Sequence, residues 1–538
     1  MSAQADMVHP AQVCNLARLL THTARLFPDR PALVHGDRTW TWSQIDARVS
    51  AMVAALRALG VRAGDRILLQ SRNNVQMFES AWVAFRMGCV WVPTNFRLSP
   101  GEVAYLAASS GAVAMLAERD FAAHAQAARA ASPALAHLIW IGDGDSPEPH
   151  YEQLVAQHLG AQVDDVPVAH GDPLWFFYTS GTTGKPKAGI LTHGQMNFVV
   201  TNHLADLVPG LCEADAAIAV APLSHGAGVH MLTTVARGAC TVLLPTDKLD
   251  PKIVWQLIER HRVSNLFTVP TIVKMLVEHP SVDQHDHSSL RQLIYAGAPM
   301  YRADQRLALR KLGKVLVQYF GLGEVTGCIT VLPAHMHSAD DDDPNAHIGS
   351  CGRPRTGMEV AILDAQMQPL PVGEVGEICV RGAAVFAGYH GNPEATAKAL
   401  RGGWFHTGDL GKLDARGLLT ITGRESDMYI SGGSNVYPKE CEEVLLAHPG
   451  VAEVAVLGVP DRHWGEIGVA VVVRRDGQPP VAADELLAFL DGKLARYRWP
   501  REIFFWDSLP KSGYGKITKK DVRQLLFDRG QVQVIANE

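Results

Sequence analysis

The residues best suited to chemistry stand together in Tyr178-Thr179-Ser180-Gly181-Thr182-Thr183-Gly184-Lys185-Pro186-Lys187-Ala188-Gly189. Glycines let a backbone approach a ligand and leave N–H groups free, hydroxyls donate to phosphate oxygens, and lysines add charge. A loop of this composition can wrap a polyphosphate. It is not a Walker A loop, which needs glycine, four residues, then Gly-Lys-Ser/Thr. Here Gly181 and Gly184 lie too close together, and Pro186 follows Lys185. The apolar run Leu174-Trp175-Phe176-Phe177 before it reads as a buried strand. A plain Gly/Thr surface turn after that strand is the alternative reading.

Other candidate groups follow along the chain. Pro222-Leu223-Ser224-His225-Gly226-Ala227-Gly228 presents one histidine, a residue that serves structure as readily as chemistry. Tyr295-Ala296-Gly297-Ala298-Pro299 offers small residues whose backbone could lie flat against a planar base, although Pro299 also suits a first helical position. Gln318-Tyr319-Phe320-Gly321-Leu322-Gly323-Glu324 ends on a carboxylate. Such a group suits Mg²⁺, which takes one or two protein carboxylates plus substrate phosphates. Trp404-Phe405-His406-Thr407-Gly408-Asp409 sets an acid after a glycine at a strand end, placed to accept hydrogen bonds from ribose hydroxyls.

These groups need elements to position them. The first third reads as alternating helix and strand without chemistry: a helical face at Leu16, Leu19, Leu20 and Ala24, a helix capped at Ser43, a strand over 65–70 and a helix over 78–87. Strands are expected over 216–221, 241–244, 265–269, 292–295 and 314–319, with helices over 251–263, 271–279 and 301–312. That alternation predicts a parallel sheet, whose ligands collect in loops beyond the carboxyl ends of the strands. From Gly349 the pattern becomes short alternating strands with tight turns (359–363, 377–380, 418–422), which predicts antiparallel sheet. Residues 427–538 then read as a compact α/β unit with helices over 439–446, 484–495 and 519–527 and strands over 452–457, 470–473 and 503–505.

With 538 residues, at least two domains are expected. The net charge of −6 and the lack of any Lys/Arg block argue against a nucleic-acid partner. Eight scattered cysteines without a Cys-x-x-Cys pair read as free thiols in a reducing compartment. The first residues lack the basic start and apolar core of a signal peptide, and no apolar run approaches the ~20 residues of a membrane span. A cytoplasmic protein is expected, with peripheral membrane contact left open.

The phosphate-type loop resembles the signature of the adenylate-forming superfamily, and the order and spacing of six motifs from Tyr178 to Lys516 fit its AMP-forming acyl-CoA synthetases. The resemblance implies an α/β fold: a large N-terminal domain (residues 1–425) of mixed and parallel sheets with flanking helices plus a distorted antiparallel β subdomain, and a small mobile C-terminal α+β domain (residues 426–538). It implies ATP, Mg²⁺ and coenzyme A as cofactor and substrates, and a monomer or homodimer. Thr179, Ser180, Gly181, Thr182, Thr183, Gly184, Lys185 and Lys187 would hold the phosphates, with Thr183 also among the catalytic groups. Gly297, Ala298, Pro299, Gln318, Phe320 and Gly321 would hold the adenine side, Asp409 and Arg424 the ribose, and Glu324 the metal. His225 would stand beside the acyl group and thiol path. The acyl pocket would be lined by His225, Val229, Ala296, Gly297, Leu322, Gly323 and Val325. Ser431, Gly432 and Gly433 in Tyr429-Ile430-Ser431-Gly432-Gly433 would form the pantetheine tunnel. Lys516, in Pro510-Lys511-Ser512-Gly513-Tyr514-Gly515-Lys516-Ile517, would be the terminal catalytic lysine and an ATP contact.

Three positions depart from that pattern. Phe320 stands for the usual tyrosine, Gly323 for the usual threonine, and Ser426 for the usual Asp or Lys of the interdomain hinge. The expected reaction joins an apolar carboxylic acid, aliphatic or aryl, to ATP as acyl-AMP with release of pyrophosphate, then to CoA. An acyl-AMP ligase that serves a separate carrier protein is the alternative. A non-catalytic nucleotide binder is disfavoured by Glu324 and Lys516 together.

Overall fold

The computed structural model describes residues 12–179, 185–298, 300–344, 346–424, 426–431, 434–511 and 517–532. Its N-terminal part holds two large sheets. In one, strands Pro173–Thr179, Val90–Pro93, Arg66–Gln70, Ala114–Glu118 and His137–Ile141 run parallel, and Lys187–Thr192 closes the edge antiparallel to Pro173–Thr179. Val90–Pro93 is buried along its whole length and Arg66–Gln70 all but its first residue, the pattern of strands covered on both faces.

The other large sheet has a parallel centre of Pro31–His35, Cys240–Leu243, Ala216–Ala219, Asn265–Thr268, Gln292–Tyr295 and Leu316–Phe320. Strands Thr330–Leu332 and Arg353–Pro354 extend it antiparallel on one side, and Arg38–Thr41 on the other. The expected strand and helix order from 216 to 319 is present. Helices Pro251–His261 and Pro270–Glu278 each begin on proline, whose missing N–H costs nothing in a first turn. Helix Gly226–Ala236 is buried from Ala227 to Val235, and its apolar composition all round fits that place.

Antiparallel sheet follows as expected, from Met358–Leu363, Gly376–Gly382, Phe405–Leu413 and Leu419–Arg424. In the C-terminal unit, Val451–Asp461 and Gly465–Arg474 pair along a long hairpin, and Glu502–Phe505 adds a parallel strand. Lys439 Nζ donates to the Ile421 carbonyl at 2.9 Å, tying helix Pro438–Leu446 to the antiparallel sheet.

Two local expectations are corrected. Helix Trp42–Ala58 is capped by Thr41, not Ser43: the Thr41 hydroxyl accepts from the Gln44 N–H while the Gln44 side chain accepts from the Thr41 N–H. The helix expected over 484–495 is Ala483–Phe489, followed by a short helical turn at Arg496–Arg498. All eight cysteines are free thiols. Among the described residues, no helix is long and apolar enough to cross a membrane.

Candidate active site

Strands Pro173–Thr179 and Leu316–Phe320 deliver their carboxyl ends to one corner, where Glu324 sits in the single helical turn Gly323–Val325. Its carboxylate is buried and accepts from Thr179 Oγ1 and Tyr389 Oη, both at 2.9 Å and both on Oε1. Two neutral hydroxyls satisfy hydrogen bonding without cancelling charge. The corner therefore keeps a negative charge in a partly dry place, which favours a cation. Oε2 takes no hydrogen bond among the described residues, so this donor set fits one protein carboxylate of a Mg²⁺ shell completed by phosphates and water. Burial first, and then the Glu324 charge, push the Tyr389 phenol well above its ordinary range and keep it a donor.

Lys187 pairs across the hairpin with Thr179, and its Nζ lies 5.2 Å from the Tyr389 ring centroid. Lys185 Nζ lies 5.5 Å from the Tyr105 ring, and Tyr105 Oη donates to the Pro186 carbonyl at 3.2 Å. Both ends of the phosphate-type loop are thus fixed. Sequence reasoning missed Tyr389. It arrives through segment 387–390, which bonds the edge of strand Lys187–Thr192 through Ile190 N–H to Gly388 O, Ala387 N–H to Ile190 O and His390 N–H to Ala188 O. That docking is long-range, and its one local signal is the glycine before the tyrosine.

Gly323 has a structural reason. A Cβ there would come within 2.6 Å of the Phe177 ring and 2.9 Å of Thr179 Cγ2. Phe177 fills the space that a threonine would need, and its ring packs on His225 at 4.4 Å between centroids. His225 is therefore brought beside the Glu324 corner, half-buried, at the start of helix Gly226–Ala236.

Among the residues expected to face the adenine, Gly297 holds a left-handed φ of 85°, which favours glycine. Ala298 follows half-buried. Tyr295 donates to Gln318 Oε1 at 3.2 Å, while Gln305 and His337 contact its hydroxyl at 3.1 Å. Gln318 is thus oriented from behind. Phe320 is half-buried at the strand end, and Gly321 packs so closely on Gly327 that a Cβ would lie 2.3 Å from its Cα.

Asp409, expected at a strand end to meet the ribose, lies instead in the middle of strand Phe405–Leu413; it and Arg424 are cross-strand neighbours with Arg424 Nε 3.0 Å from Asp409 Oδ1. Asp409 is buried and Arg424 mostly exposed. Thr407 Oγ1 accepts from the Asp409 N–H at 3.0 Å. Glu377 accepts from His406 Nδ1 at 2.7 Å, from the Gly408 N–H at 3.2 Å and from Arg401 at 3.0 Å, so it braces the strand that carries Asp409. Sequence reasoning did not single it out.

A small cavity lies under helix Gly226–Ala236, against strands Ala216–Ala219, Cys240–Leu243 and Asn265–Thr268. Its lining includes Ala227, His230 and Phe267, but of the expected acyl-pocket residues it contains none. Val229 is buried on another face of that helix, and Ala296 and Val325 are buried in neighbouring packing clusters. Leu322 packs half-buried against the same core as Val325. His225, Gly323 and Glu324 come together; Val229 is set apart from the cavity by helical phase.

Ser431 ends strand Tyr429–Ser431 and pairs with Gly465 at the tip of the long hairpin. Ser426 is exposed, its hydroxyl 3.3 Å from Asp427 Oδ1, and the N–H groups of Asp427 and Met428 bond the Arg424 carbonyl. Ser180, Gly181, Thr182, Thr183, Gly184, Pro299, Gly432, Gly433 and Lys516 lie outside the described residues.

Residues 20–390 match the family described as AMP-binding enzyme, and residues 440–516 its C-terminal domain. The feruloyl-CoA synthase of an Amycolatopsis species is 37% identical over 93% of this chain and 97% of its own length. The indoleacetate–CoA ligase of Aromatoleum aromaticum is 33% identical over 95% and 98%. The anthranilate CoA ligase AuaEII, solved in complex with anthranoyl-AMP, superposes with a TM-score of 0.87 at 25% identity over 97% of this chain and 99% of that one. The chain belongs to the AMP-binding enzyme family of adenylate-forming ligases.

Proposed function

We propose that this AMP-forming carboxylate–CoA ligase acts on an aryl acid, and that the Glu324 corner binds the Mg²⁺-bound phosphates of ATP. The observation that carries the reading is Glu324, buried at the mouth of the phosphate-type loop with both hydrogen bonds drawn from neutral hydroxyls. The first step brings two anions together, so screening and fixed geometry supply much of the catalysis. Mg²⁺ would neutralise phosphate charge there. Thr179, Lys185 and Lys187 hold the triphosphate, Asp409 and Arg424 the ribose, and Gln318 with Phe320 the adenine.

Lys516 supplies a point charge between the carboxylate and the α-phosphate during adenylation. The turn at Ser426 lets the C-terminal unit rotate, so that the thiol reaches the carbonyl past Ser431, Gly432 and Gly433. The domain boundary at 425/426 and the cytoplasmic location belong to the same reading. The relative named feruloyl-CoA synthase, at 37% identity against 33% for one named long-chain-fatty-acid–CoA ligase, favours an aryl acid over an alkyl one.

The test is pyrophosphate exchange into ATP with aryl and aliphatic acids, followed by mass detection of the thioester with free CoA. Exchange that depends on an aryl acid and on Mg²⁺ is expected, with CoA thioester as product. No acid-dependent exchange would end the reading, and acyl-AMP that accumulates in the presence of CoA would favour a carrier-protein acceptor.

A further inference from the structure

Beside the strand that carries Asp409, Glu377, Cys379 and His406 bring a carboxylate, a thiol and an imidazole together. Among the described residues they are the one group of three such side chains whose ligating atoms lie within 4.8 Å of one another. The sheet builds the group. Glu377 and Cys379 stand two apart on strand Gly376–Gly382 and so share a face. Cys379 pairs across with His406, but the register then jumps, and Glu377 pairs with Leu410. A bulge of this kind re-aims the side chains beside it. Glu377 Oε2 reaches His406 Nδ1 at 2.7 Å, and Cys379 Sγ lies 3.4 Å from the same nitrogen.

The other ring nitrogen constrains what fills the centre. His406 Nε2 lies 3.3 Å from the Arg401 carbonyl, which can only accept, so Nε2 carries a proton. In the neutral ring Nδ1 is then a lone pair, and it faces a thiol and a carboxylate at once. A positive centre must sit between lone pair and carboxylate, either a proton or a metal ion. A metal-ligating histidine holds its second nitrogen against a carbonyl or carboxylate in this same way. Tetrahedral zinc, with Zn–S about 2.3 Å and Zn–N about 2.0 Å, sets sulfur and nitrogen about 3.5 Å apart. Sγ and Nδ1 already have that span at 3.4 Å.

We propose that Glu377 Oε2, Cys379 Sγ and His406 Nδ1 bind a thiophilic divalent cation of the zinc class, with water as the fourth ligand. Thiolate and imidazole select Zn²⁺ or Co²⁺ over Mg²⁺, so the site differs in chemistry from the Glu324 corner. On binding, the Cys379 thiol gives its proton to solvent, as does any proton shared by His406 and Glu377. Thiolate and carboxylate then balance the two charges of the ion. Burial first and the Glu377 charge second push the free thiol up to about 12, a cost that coordination meets because a bound thiol is deprotonated outright. Glu377 Oε1 keeps its bond from the Gly408 N–H at 3.2 Å, which holds the carboxylate in orientation. Arg401, 44% exposed at its side chain, can leave Oε2 for solvent and open the way in.

The test titrates the full-length protein with Co²⁺ and Zn²⁺ in excess Mg²⁺. One equivalent of Co²⁺ should give the near-ultraviolet thiolate-to-metal band, and Zn²⁺ should bleach it while further Mg²⁺ does not. X-ray absorption of the 1:1 zinc complex should show one sulfur at about 2.3 Å beside nitrogen and oxygen at about 2.0–2.2 Å. Cys379→Ser should lose both the band and the sulfur signal, while Cys14→Ser, which changes the exposed thiol, keeps both. His406→Gln should weaken Zn²⁺ binding by at least the roughly 10- to 100-fold that loss of an outer-shell partner costs. Zinc bound to wild type without sulfur, or no zinc bound at one equivalent, overturns the proposal whatever the stability of the variants, and leaves three side chains joined by protons alone. A sulfur signal that survives Cys379→Ser overturns it too, because another thiol then holds the ion.

Discussion

Glu324, in the turn after strand Leu316–Phe320, and Asp409, inside strand Phe405–Leu413, are both buried carboxylates, yet Glu324 takes its bonds from Thr179 and Tyr389 hydroxyls whereas Asp409 lies 3.0 Å from a guanidinium. Neutral donors lower the cost of burying a carboxylate and leave its charge to be met by something that binds. A guanidinium meets the charge within the protein, and what remains is hydrogen-bond acceptance. The first arrangement suits a metal-bound phosphate; the second suits a neutral diol. Charge balance separates the two roles more sharply than burial does, since burial is similar at both.

The comparison breaks most directly at Glu324. In Glu324→Gln the hydrogen bonds have a neutral carbonyl to accept them, but the charge is gone. Pyrophosphate release should drop on the order of 10²–10³-fold, and the Mg²⁺ concentration for half-maximal rate should rise. A variant whose Mg²⁺ dependence matched wild type would remove the metal from this corner.

Gly323→Thr asks whether the corner tolerates the residue more usual there. The added Cβ meets Phe177 at 2.6 Å and Thr179 at 2.9 Å, so the ring must move or the turn must shift. Overpacking of this kind costs about 1–3 kcal/mol, read as a lower midpoint in urea. Phe177→Leu should relieve part of it, and a double-mutant cycle measures how much. Strict additivity would mean that Phe177 and Gly323 do not share the space.

Tyr389→Phe removes one neutral donor and keeps the ring under Lys187. A hydrogen bond to a charged acceptor contributes about 1.5–3 kcal/mol, so kcat/KM for ATP should fall roughly 10- to 100-fold. Loss without any change in Mg²⁺ requirement would place Tyr389 as a packing residue only.

The sequence carried the architecture well because periodicity and turn residues are local. The parallel strands from Ala216–Ala219 to Leu316–Phe320 are buried runs between helices, and such runs are readable without a partner. Glu324, Asp409 and Arg424 stand out in the sequence as candidates, since each stands in a tight cluster of glycine and polar residues. Tyr389 does not, because its place depends on an edge pairing with strand Lys187–Thr192 some two hundred residues earlier in the chain. Val229, expected in the acyl pocket, does not line the cavity under helix Gly226–Ala236. Inside a helix buried all round, apolar character does not say which face meets the cavity, and Ala227, His230, Met231 and Thr234 are the residues that do. Gly323 looked like a missing donor in one dimension and is a filled space in three.

The smallest effect is expected at the matched pair. Arg424 is 57% exposed at its side chain, and an exposed guanidinium facing a carboxylate contributes about 0–1 kcal/mol. Arg424→Lys keeps the charge but loses the planar guanidinium whose Nε lies 3.0 Å from Asp409 Oδ1. If Asp409 serves the ribose through hydrogen bonds alone, the change should raise the KM for ATP a few-fold at most, roughly the fivefold that 1 kcal/mol allows, and leave kcat and the Mg²⁺ requirement in place. Comparison of ATP with 2′,3′-dideoxy-ATP sharpens the result, because the diol-free nucleotide should lose its disadvantage as the Asp409 orientation loosens. A large fall in kcat, or a shift in Mg²⁺ dependence like that of Glu324→Gln, would show that the two carboxylates share one charge-balancing task and that the contrast between neutral and cationic partners does not divide their roles.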